Sequence, residues 1–202
     1  MRKLLTSSII ALSFAFTGPA LAKKSVESST TVSQPLTSAV KIEIALSEDL
    51  EHRAENLPKK FTDRSGSRIN AAFANNGFYG NKDLDLLKQR LRSKIERKFA
   101  KKGIEISDDA PAVLKVTISE VKPNRPTHEQ LKRDANLSFS SRGVGGADIE
   151  SELFAADGSS LGSINYRWFE TDFFQAQFGG TWSDAYQAFS RYANRAARVL
   201  SK

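Results

Sequence analysis

One run in the sequence matches a catalytic pattern. Residues 158–162 read Gly-Ser-Ser-Leu-Gly, which fits the G-x-S-x-G pattern of serine hydrolases. In that class the serine lies on a turn between a strand and a helix, and its histidine base follows it in the chain. Here the run lies between two predicted strands, and His52 and His128 both precede it. The run therefore predicts a hairpin turn rather than a nucleophile.

A pair of glutamates also has the spacing that acid–base chemistry could use. Glu150 and Glu152 are two residues apart on a predicted strand, so they point to the same face. Two carboxylates on one face can act as a general acid and base. Arg167 lies on the opposing predicted strand and Lys115 shares the same face. Cross-strand charge pairing therefore explains the glutamates without catalysis.

The histidines occur in loops, where they could join carboxylates. His52, His128, Glu129 and Asp172 could meet at one end of the molecule, but no helical histidine pair or short ligand spacing supports a metal site. We therefore expect no metal and no cofactor. The absence of cysteine excludes disulfides, thiolate zinc sites, a cysteine nucleophile and a lipidated cysteine. A hydrolase that uses His128 with Asp172 is kept as the alternative to a binding protein.

The N-terminus predicts export. Arg2 and Lys3 precede nineteen uncharged residues that end in Ala-Leu-Ala, which is typical of a signal peptide over residues 1–22 cleaved after Ala22. We expect a periplasmic or secreted protein. Removing this segment lowers the net charge from +7 to +5, because 28 basic and 23 acidic residues remain. Half of the sixteen residues 23–38 are Ser or Thr, which predicts a disordered linker before a single domain at 39–202.

Alternation and helical periodicity predict an α+β fold. Four segments alternate apolar and polar residues as half-buried strands do: 40–46, 113–119, 147–153 and 161–169. One helix begins at a capping Asn81 and ends at Gly103, and a second begins at Thr181 with Asp184 as a capping-box partner. Because one face of the sheet is apolar and the other charged, we expect a two-layer sandwich in which a four-stranded mixed sheet carries both helices on one face.

The predicted chain path gathers the long loops at one end. A crossover makes the first two strands parallel, and the hairpin returns the fourth strand in their direction. Segments 47–80, 122–146 and 170–180 therefore meet at the edge where both helices begin. Long loops on a rigid scaffold are common binding sites. The residues that we expect to bind a ligand or partner there are Asn75, Asn76, Tyr79, Arg125 and His128.

The surplus of positive charge is concentrated on the helices. Residues 82–102 hold nine Lys or Arg and three Asp or Glu. An exported basic surface would meet lipid phosphates, lipopolysaccharide or other anionic envelope components. We do not expect nucleic acid binding, because the first helix lacks interleaved aromatic residues. The residues that we expect to contact an anionic surface are Lys94, Lys98, Arg191, Arg195 and Arg198.

Four stretches carry a resemblance to a known group of proteins: 75–83, 123–130, Asp157-Gly158 and 181–198. In their pattern and in the β-α-β-β-β-α order, they resemble a group of uncharacterised bacterial envelope proteins, many of them lipoproteins. The resemblance implies a periplasmic domain of unknown function and no assigned activity. This chain departs from the group because it lacks a lipid-bearing cysteine. We expect a non-catalytic binding or accessory module for an anionic envelope component or a protein partner; the oligomeric state is left open.

Overall fold

The computed structural model describes residues 25–32, 35–57, 72–75, 77–175 and 179–201. The predicted signal peptide, residues 1–22, lies outside the described residues. Among those that are described, no helix combines the length and the apolar character that a membrane crossing requires. The strands are β1 (Ser25–Thr30), β2 (Val40–Leu46), β3 (Ala112–Lys122), β4 (Gly146–Phe154) and β5 (Ser160–Phe169). The helices are α1 (Glu48–Glu55), α2 (Asn81–Ala100), α3 (His128–Arg133) and α4 (Ser183–Leu200), with a short 3₁₀ helix at Ala72–Asn75.

The strands form one mixed sheet in the order β1-β5-β4-β3-β2. β2 pairs parallel with β3, and the other neighbours pair antiparallel. The parallel pair follows from the crossover through α2. The antiparallel pair of β4 and β5 is the predicted hairpin, whose turn contains Gly158 at φ +81°. The prediction of an α+β fold with a mixed sheet is confirmed.

The sheet has one apolar face, and both long helices pack on it. α4 lies against β4 and β5, whereas α2 lies against β2 and beside α4. Leu114, Ile149 and Trp168 on this face are completely buried. On the opposite face, Lys115, Glu150 and Glu152 are exposed. Strand alternation therefore produces the two layers, because every second side chain faces the helices.

The stripe predicted on the first helix is buried, but the predicted caps differ. Leu84, Leu87, Leu91, Ile95 and Phe99 are at most 2% exposed. The N-cap is Gly80, which has no side chain to cap with, so Asn81 is the first helical residue and not the cap. Gly103, with φ +70°, follows the helix where the stop was predicted.

The prediction of four strands and two helices was short by one strand and two helices. β1 lies where the sequence predicted a disordered linker, and it joins the sheet through backbone pairing with β5. Its side chains at positions 26–30 are exposed, so the strand leaves no apolar alternation in the sequence. The two further helices, α1 and α3, are short and lie within the predicted loops.

Residues 31–32, which follow β1, pass close to the backbone of β5 at Gly162. Thr31 donates its N–H to the Ser163 carbonyl at 3.0 Å, and the Ser163 N–H donates to Thr31 Oγ1 at 2.8 Å. A Cβ on the neighbouring Gly162, which has φ +126°, would lie 2.7 Å from the Val32 nitrogen and 2.8 Å from the Thr31 carbonyl carbon. Backbone atoms cannot move aside as a flexible side chain can. The close approach of residues 31–32 therefore requires glycine at this position.

We predict that Gly162→Ala destabilises the fold by at least about 2 kcal/mol, because it adds a backbone clash to an unfavourable φ. Gly158→Ala is the matched control: its φ is also positive, but a Cβ there meets nothing within 4 Å. The control should cost about 1 kcal/mol. Thermal unfolding and amide exchange of residues 25–32 measure both variants. Equal losses in the two variants would show that residues 31–32 do not pack on Gly162.

Candidate functional site

The loops meet at one end of the sheet, as the chain path predicts. Leu46 pairs with Ile118 near the ends of the parallel strands, and Gly146 pairs with Phe169 at the start of β4 and the end of β5. The described ends of segments 47–80, 122–146 and 170–180 therefore leave or enter the sheet at this edge, and α2 and α4 begin after two of them. We call this edge the loop end.

A reciprocal hydrogen-bonded pair fastens the loop end. Asn124 Nδ2 donates to Asp184 Oδ2 at 2.5 Å, and the Asp184 N–H donates to Asn124 Oδ1 at 2.9 Å. The Asn124 N–H also donates to the Thr181 carbonyl at 2.7 Å. The end of β3 is thus joined to the start of α4. The capping-box prediction was wrong: α4 begins after Trp182 without a side-chain cap, and the Asp184 carboxylate accepts from Asn124 instead.

The turn that leads into β4 is held by the same pair. Gly145 donates its N–H to Asp184 Oδ2 at 3.0 Å, and its carbonyl accepts from the Glu170 N–H at 2.8 Å. The Gly143 N–H donates to the Asn124 carbonyl at 2.9 Å. A Cβ on Gly145 would lie 2.8 Å from Asn124 Oδ1. One carboxylate and one amide therefore position three loop segments at once.

Tyr79 is a buried structural residue, which corrects its prediction as a binding residue. Its side chain is 1% exposed, and its ring packs edge-to-face against Trp182 with centroids 5.0 Å apart. The hydroxyl lies 3.0 Å from the Val121 carbonyl and 3.3 Å from the Ala74 carbonyl. Burial raises the pKa of the phenol well above its ordinary value. The side chain cannot reach a ligand without opening the core.

Arg125 is half-buried and holds two loops together. Its Nε donates to the Gly179 carbonyl at 3.4 Å, and its Nη1 donates to the Ser140 carbonyl at 3.3 Å. Asn76 lies outside the described residues, and Asn75 closes the 3₁₀ helix at Ala72–Asn75. Tyr79 and Arg125 therefore hold the loops together and do not form a common binding surface with the other predicted residues.

His128 is the exposed member of the predicted set. It begins α3, whose N-terminus has a capping box: Gln130 donates its N–H to Thr127 Oγ1, and Gln130 Oε1 accepts from the Thr127 N–H. Gln130 Nε2 donates to the Phe73 carbonyl at 2.8 Å, so α3 is anchored to the 3₁₀ helix. The imidazole packs edge-to-face with Phe139 at 5.7 Å. The sequence did not predict this helix because six residues are too few to show a period.

A cleft of about 270 Å³ adjoins His128 between the starts of α2, α3 and α4. Asp83 lies in this cleft and accepts from Trp182 Nε1 at 3.0 Å. Burial raises the pKa of the Asp83 carboxyl, while the Trp182 hydrogen bond and the nearby His128 oppose that shift. The remaining lining residues are Leu86, Thr127, Gly180, Thr181, Ser183 and Tyr186.

The residues of the hydrolase alternative do not form a catalytic pair. Asp172 Oδ1 accepts from the Phe174 N–H at 2.9 Å within its own turn, and within the described chain no hydrogen bond joins Asp172 to His128. No three His, Asp or Glu side chains of the described residues gather as metal ligands would. His128 lies close enough to Asp83 to lower the pKa of that carboxyl.

The hairpin and the charged face of the sheet opposite the helices, which we call the open face, are held by polar contacts. Ser160, the central serine of the G-x-S-x-G run, lies at the start of β5 and donates to Glu152 Oε1 at 2.5 Å. Cross-strand charge pairing was expected to explain Glu150 and Glu152, but Arg167 pairs with Asp148 at 2.6 Å and with Glu120 at 3.6 Å. The register explains the difference, because Asp148 lies directly opposite Arg167. Burial raises the pKa of Asp148, and the hydrogen bond from Arg167 opposes that shift.

A row of cations follows the flank of α2 that faces α4. Arg90 lies with its guanidinium carbon 5.8 Å from the centre of the Tyr186 ring, so this flank faces α4. Lys94 and Lys98 follow at one and two turns, and Arg97 and Lys101 lie beside them. Partial burial lowers the pKa of Lys94, and Arg97, Arg90 and Lys98 lower it further by repulsion. We call these five residues the basic row.

The three arginines predicted on the second helix lie in different surroundings. Arg191 stacks on Trp168 with its guanidinium carbon 4.4 Å from the ring centre, on the side of α4 that faces β5. Arg195 is half-buried, and its Nε has no hydrogen-bond partner among the described residues. Arg198 is exposed. Arg191 therefore has a packing role as well as a charge, and Arg198 is the freest of the three.

Comparisons with known proteins assign no family to this chain. No family model and no curated protein matches the chain. Among solved structures, the chain is similar to a PelC variant described as a dodecamer, from Paraburkholderia phytofirmans, with 12% identity and a TM-score of 0.43. The match covers 84% of this chain and 95% of that chain. At this TM-score the likeness supports no statement about function or assembly.

We predict that Asp184→Ala destabilises the protein by about 2–4 kcal/mol, because Asn124 Nδ2 and the Gly145 N–H both lose their acceptor. Asp85→Ala is the matched control, an aspartate near the start of the other long helix whose Lys88 pair is largely exposed. It should change the free energy of unfolding by less than about 1 kcal/mol. Urea unfolding measures both. A loss for Asp184→Ala no larger than the control's would contradict the proposed role of the pair.

We also predict that stability falls in alkaline solution. The folded-state pKa of Tyr79 lies above its unfolded value near 10, so its contribution is complete below that pH and is lost as the pH rises further. Tyr79→Phe should reduce the fall in unfolding free energy between about pH 9 and 11. Some fall should remain, because burial also raises the pKa of Tyr192. Parallel stability curves for the variant and the parent would refute this assignment.

Proposed function

We propose that the protein binds an extended anionic component of the bacterial envelope through the basic row, without catalysis. The observation that carries this proposal is an imbalance between the two flanks of α2. On one flank, Lys88 lies 2.9 Å from Asp85 and Arg92 lies 3.7 Å from Glu96. Within the described residues, no member of the basic row lies within ion-pair distance of a carboxylate.

Unpaired neighbouring cations cost folding free energy, and an anion would relieve that cost. The lowered pKa of Lys94 records both its partial desolvation and the repulsion from its neighbours. A bound phosphate would stabilise the charged form of every lysine in the row. Such surfaces are typical of proteins that bind anionic partners.

The dimensions of the row favour an extended ligand. From Arg90 to Lys101 the helix rises by about 16 Å, at about 1.5 Å per residue. That length matches several phosphates on a lipid surface or along a charged polymer, rather than one small anion. The predicted export of the chain is what makes lipid phosphate or lipopolysaccharide the expected class. Arg198, exposed on the neighbouring helix, could add to the same contact.

The alternative function, a periplasmic hydrolase that uses His128 and Asp172 at the loop end, has less support. A general base needs an orienting group within hydrogen-bond reach. Asp172 accepts from its own turn instead, and the cleft beside His128 is small. The aromatic and polar contacts of the loop end are explained by packing without a reaction.

We predict that Lys94→Glu/Lys98→Glu weakens binding to vesicles that contain anionic phospholipid by at least about tenfold, because each change replaces attraction by repulsion. Binding by the parent should weaken steeply as salt rises from about 50 to 500 mM, since screening shortens the range of the attraction. Co-sedimentation with vesicles measures both effects, and zwitterionic vesicles should bind little.

The matched control is Lys88→Glu/Lys115→Glu, which makes the same change in net charge away from the basic row. Lys88 lies on the paired flank of α2, and Lys115 lies on the open face of the sheet. The affinity of the control for the vesicles should fall less than about threefold, because salt screens charges that lie away from the basic row. An equal loss in both double variants would show that the net charge of the protein, and not the basic row, determines binding. Binding that ignores salt and both variants would overturn the proposal.

A further inference from the structure

The two edges of the sheet are protected unequally. At the β2 edge, Arg92 Nη2 donates to the Ile42 carbonyl at 2.7 Å, and Ile106 forms a parallel bridge with Val40. These contacts satisfy backbone groups that an edge strand otherwise leaves open. Proteins commonly protect edge strands in this way, because unpaired edges associate with other strands.

The β1 edge has no comparable cover among the described residues. The Thr31 N–H donates to the Ser163 carbonyl, so this N–H points toward β5. Because these directions alternate along a strand, the N–H and carbonyl groups of Val26, Ser28 and Thr30 point away from β5. All three side chains are exposed. Residues 25–30 contain no proline and no lysine, and their pairing with β5 is uninterrupted.

We propose that β1 pairs antiparallel with β1 of a second copy of this chain, with the two Ser28 residues opposite each other. A two-fold axis perpendicular to the sheet keeps both helical layers on the same face. With this axis at Ser28, each of Val26, Ser28 and Thr30 is paired with a residue whose backbone groups also point outward. About six hydrogen bonds result, from the Ser28 pair and the two pairs of Val26 with Thr30.

The charges of β1 favour this register over its neighbours. Glu27 is the strand's charged residue, and in this register it lies opposite Ser29 of the second copy. Moving the axis to Glu27 would place two glutamates face to face, which is unfavourable. Moving the axis to Ser29 would reduce the outward pairs to Ser28 with Thr30. The strand is therefore complementary to itself at one position.

The pairing would join two five-stranded sheets into one of ten strands, with both basic rows on the same side. A bivalent protein binds an extended surface more tightly than a single row does. The self-pairing stands without the proposed function, because it rests on the strand edge alone.

Sedimentation equilibrium of the full chain over a range of concentrations tests the proposal, together with Ser28→Pro. Proline removes the outward N–H of Ser28 and leaves the pairing with β5 intact, since that N–H does not face β5. We expect a concentration-dependent dimer whose Kd rises at least about tenfold in Ser28→Pro. Ser28→Ala, which keeps the N–H, should dimerise as the parent does. Unchanged thermal unfolding of Ser28→Pro would confirm that its fold is intact.

Disulfide trapping tests the register in a chain that has no cysteine of its own. In the proposed register, Glu27 and Ser29 of the two copies form a non-hydrogen-bonded pair with Cα atoms about 4.5 Å apart, within reach of a disulfide. An oxidised mixture of Glu27→Cys and Ser29→Cys chains, one carrying a mass tag, should form the mixed dimer in preference to either homodimer.

Two results would overturn the proposal. One is that the protein is a monomer at every concentration in the absence of vesicles. The β1 edge would then pair with a strand of another protein or remain solvated. The other is a dimer that Ser28→Pro does not weaken, or whose disulfides form equally in all combinations. Neither result depends on vesicle binding, so failure here is distinguishable from failure of the proposed function.

Discussion

The fold depends on the fact that the sheet buries one face and exposes the other. Residues such as Leu114 and Trp168 must be covered, and α2 and α4 together cover them. Two parallel helices on one face must both begin at the same edge, so the long loops gather there. The same constraint turns the other side of each helix toward solvent, where the cations of α2 lie. One packing requirement therefore sets where the basic row and the loop end lie.

Polar side chains at the loop end form hydrogen bonds with one another and with the backbone of neighbouring segments. Asn124 and Asp184 join β3 to α4, and the Tyr79 hydroxyl and Gln130 amide each reach backbone carbonyls of other segments. Buried polar groups need such partners, because leaving them unpaired is costly. Residue types that suit ligand recognition also suit the closure of long loops. This double use explains why Tyr79 and Arg125, which were predicted to bind a ligand, have structural contacts instead.

The strength of each sequence pattern matches how well it predicted the structure. Alternation over 40–46 and 113–119 reports burial on one face, and those strands form as predicted. β1 buries almost no side chain, so nothing in its composition separates it from a flexible linker. Asn124 and Asp184 are 60 residues apart, and neither has an identifying neighbour pattern. Arg191 carried a charge signal in the sequence, but its contact with Trp168 depends on how α4 lies across β5.

The sequence by itself determined four of the five strands, the two long helices, which face of the sheet is apolar, and the edge at which the long loops begin and end, because periodicity and chain direction are local properties. Only the tertiary structure decided that Tyr79 is buried and that Asp184 binds Asn124. It also decided that, among the described residues, one flank of α2 has carboxylate partners and the other has none, and that nothing covers the β1 edge of the sheet. These features depend on which distant groups come within a few ångströms of each other. A linear pattern contains no such distances.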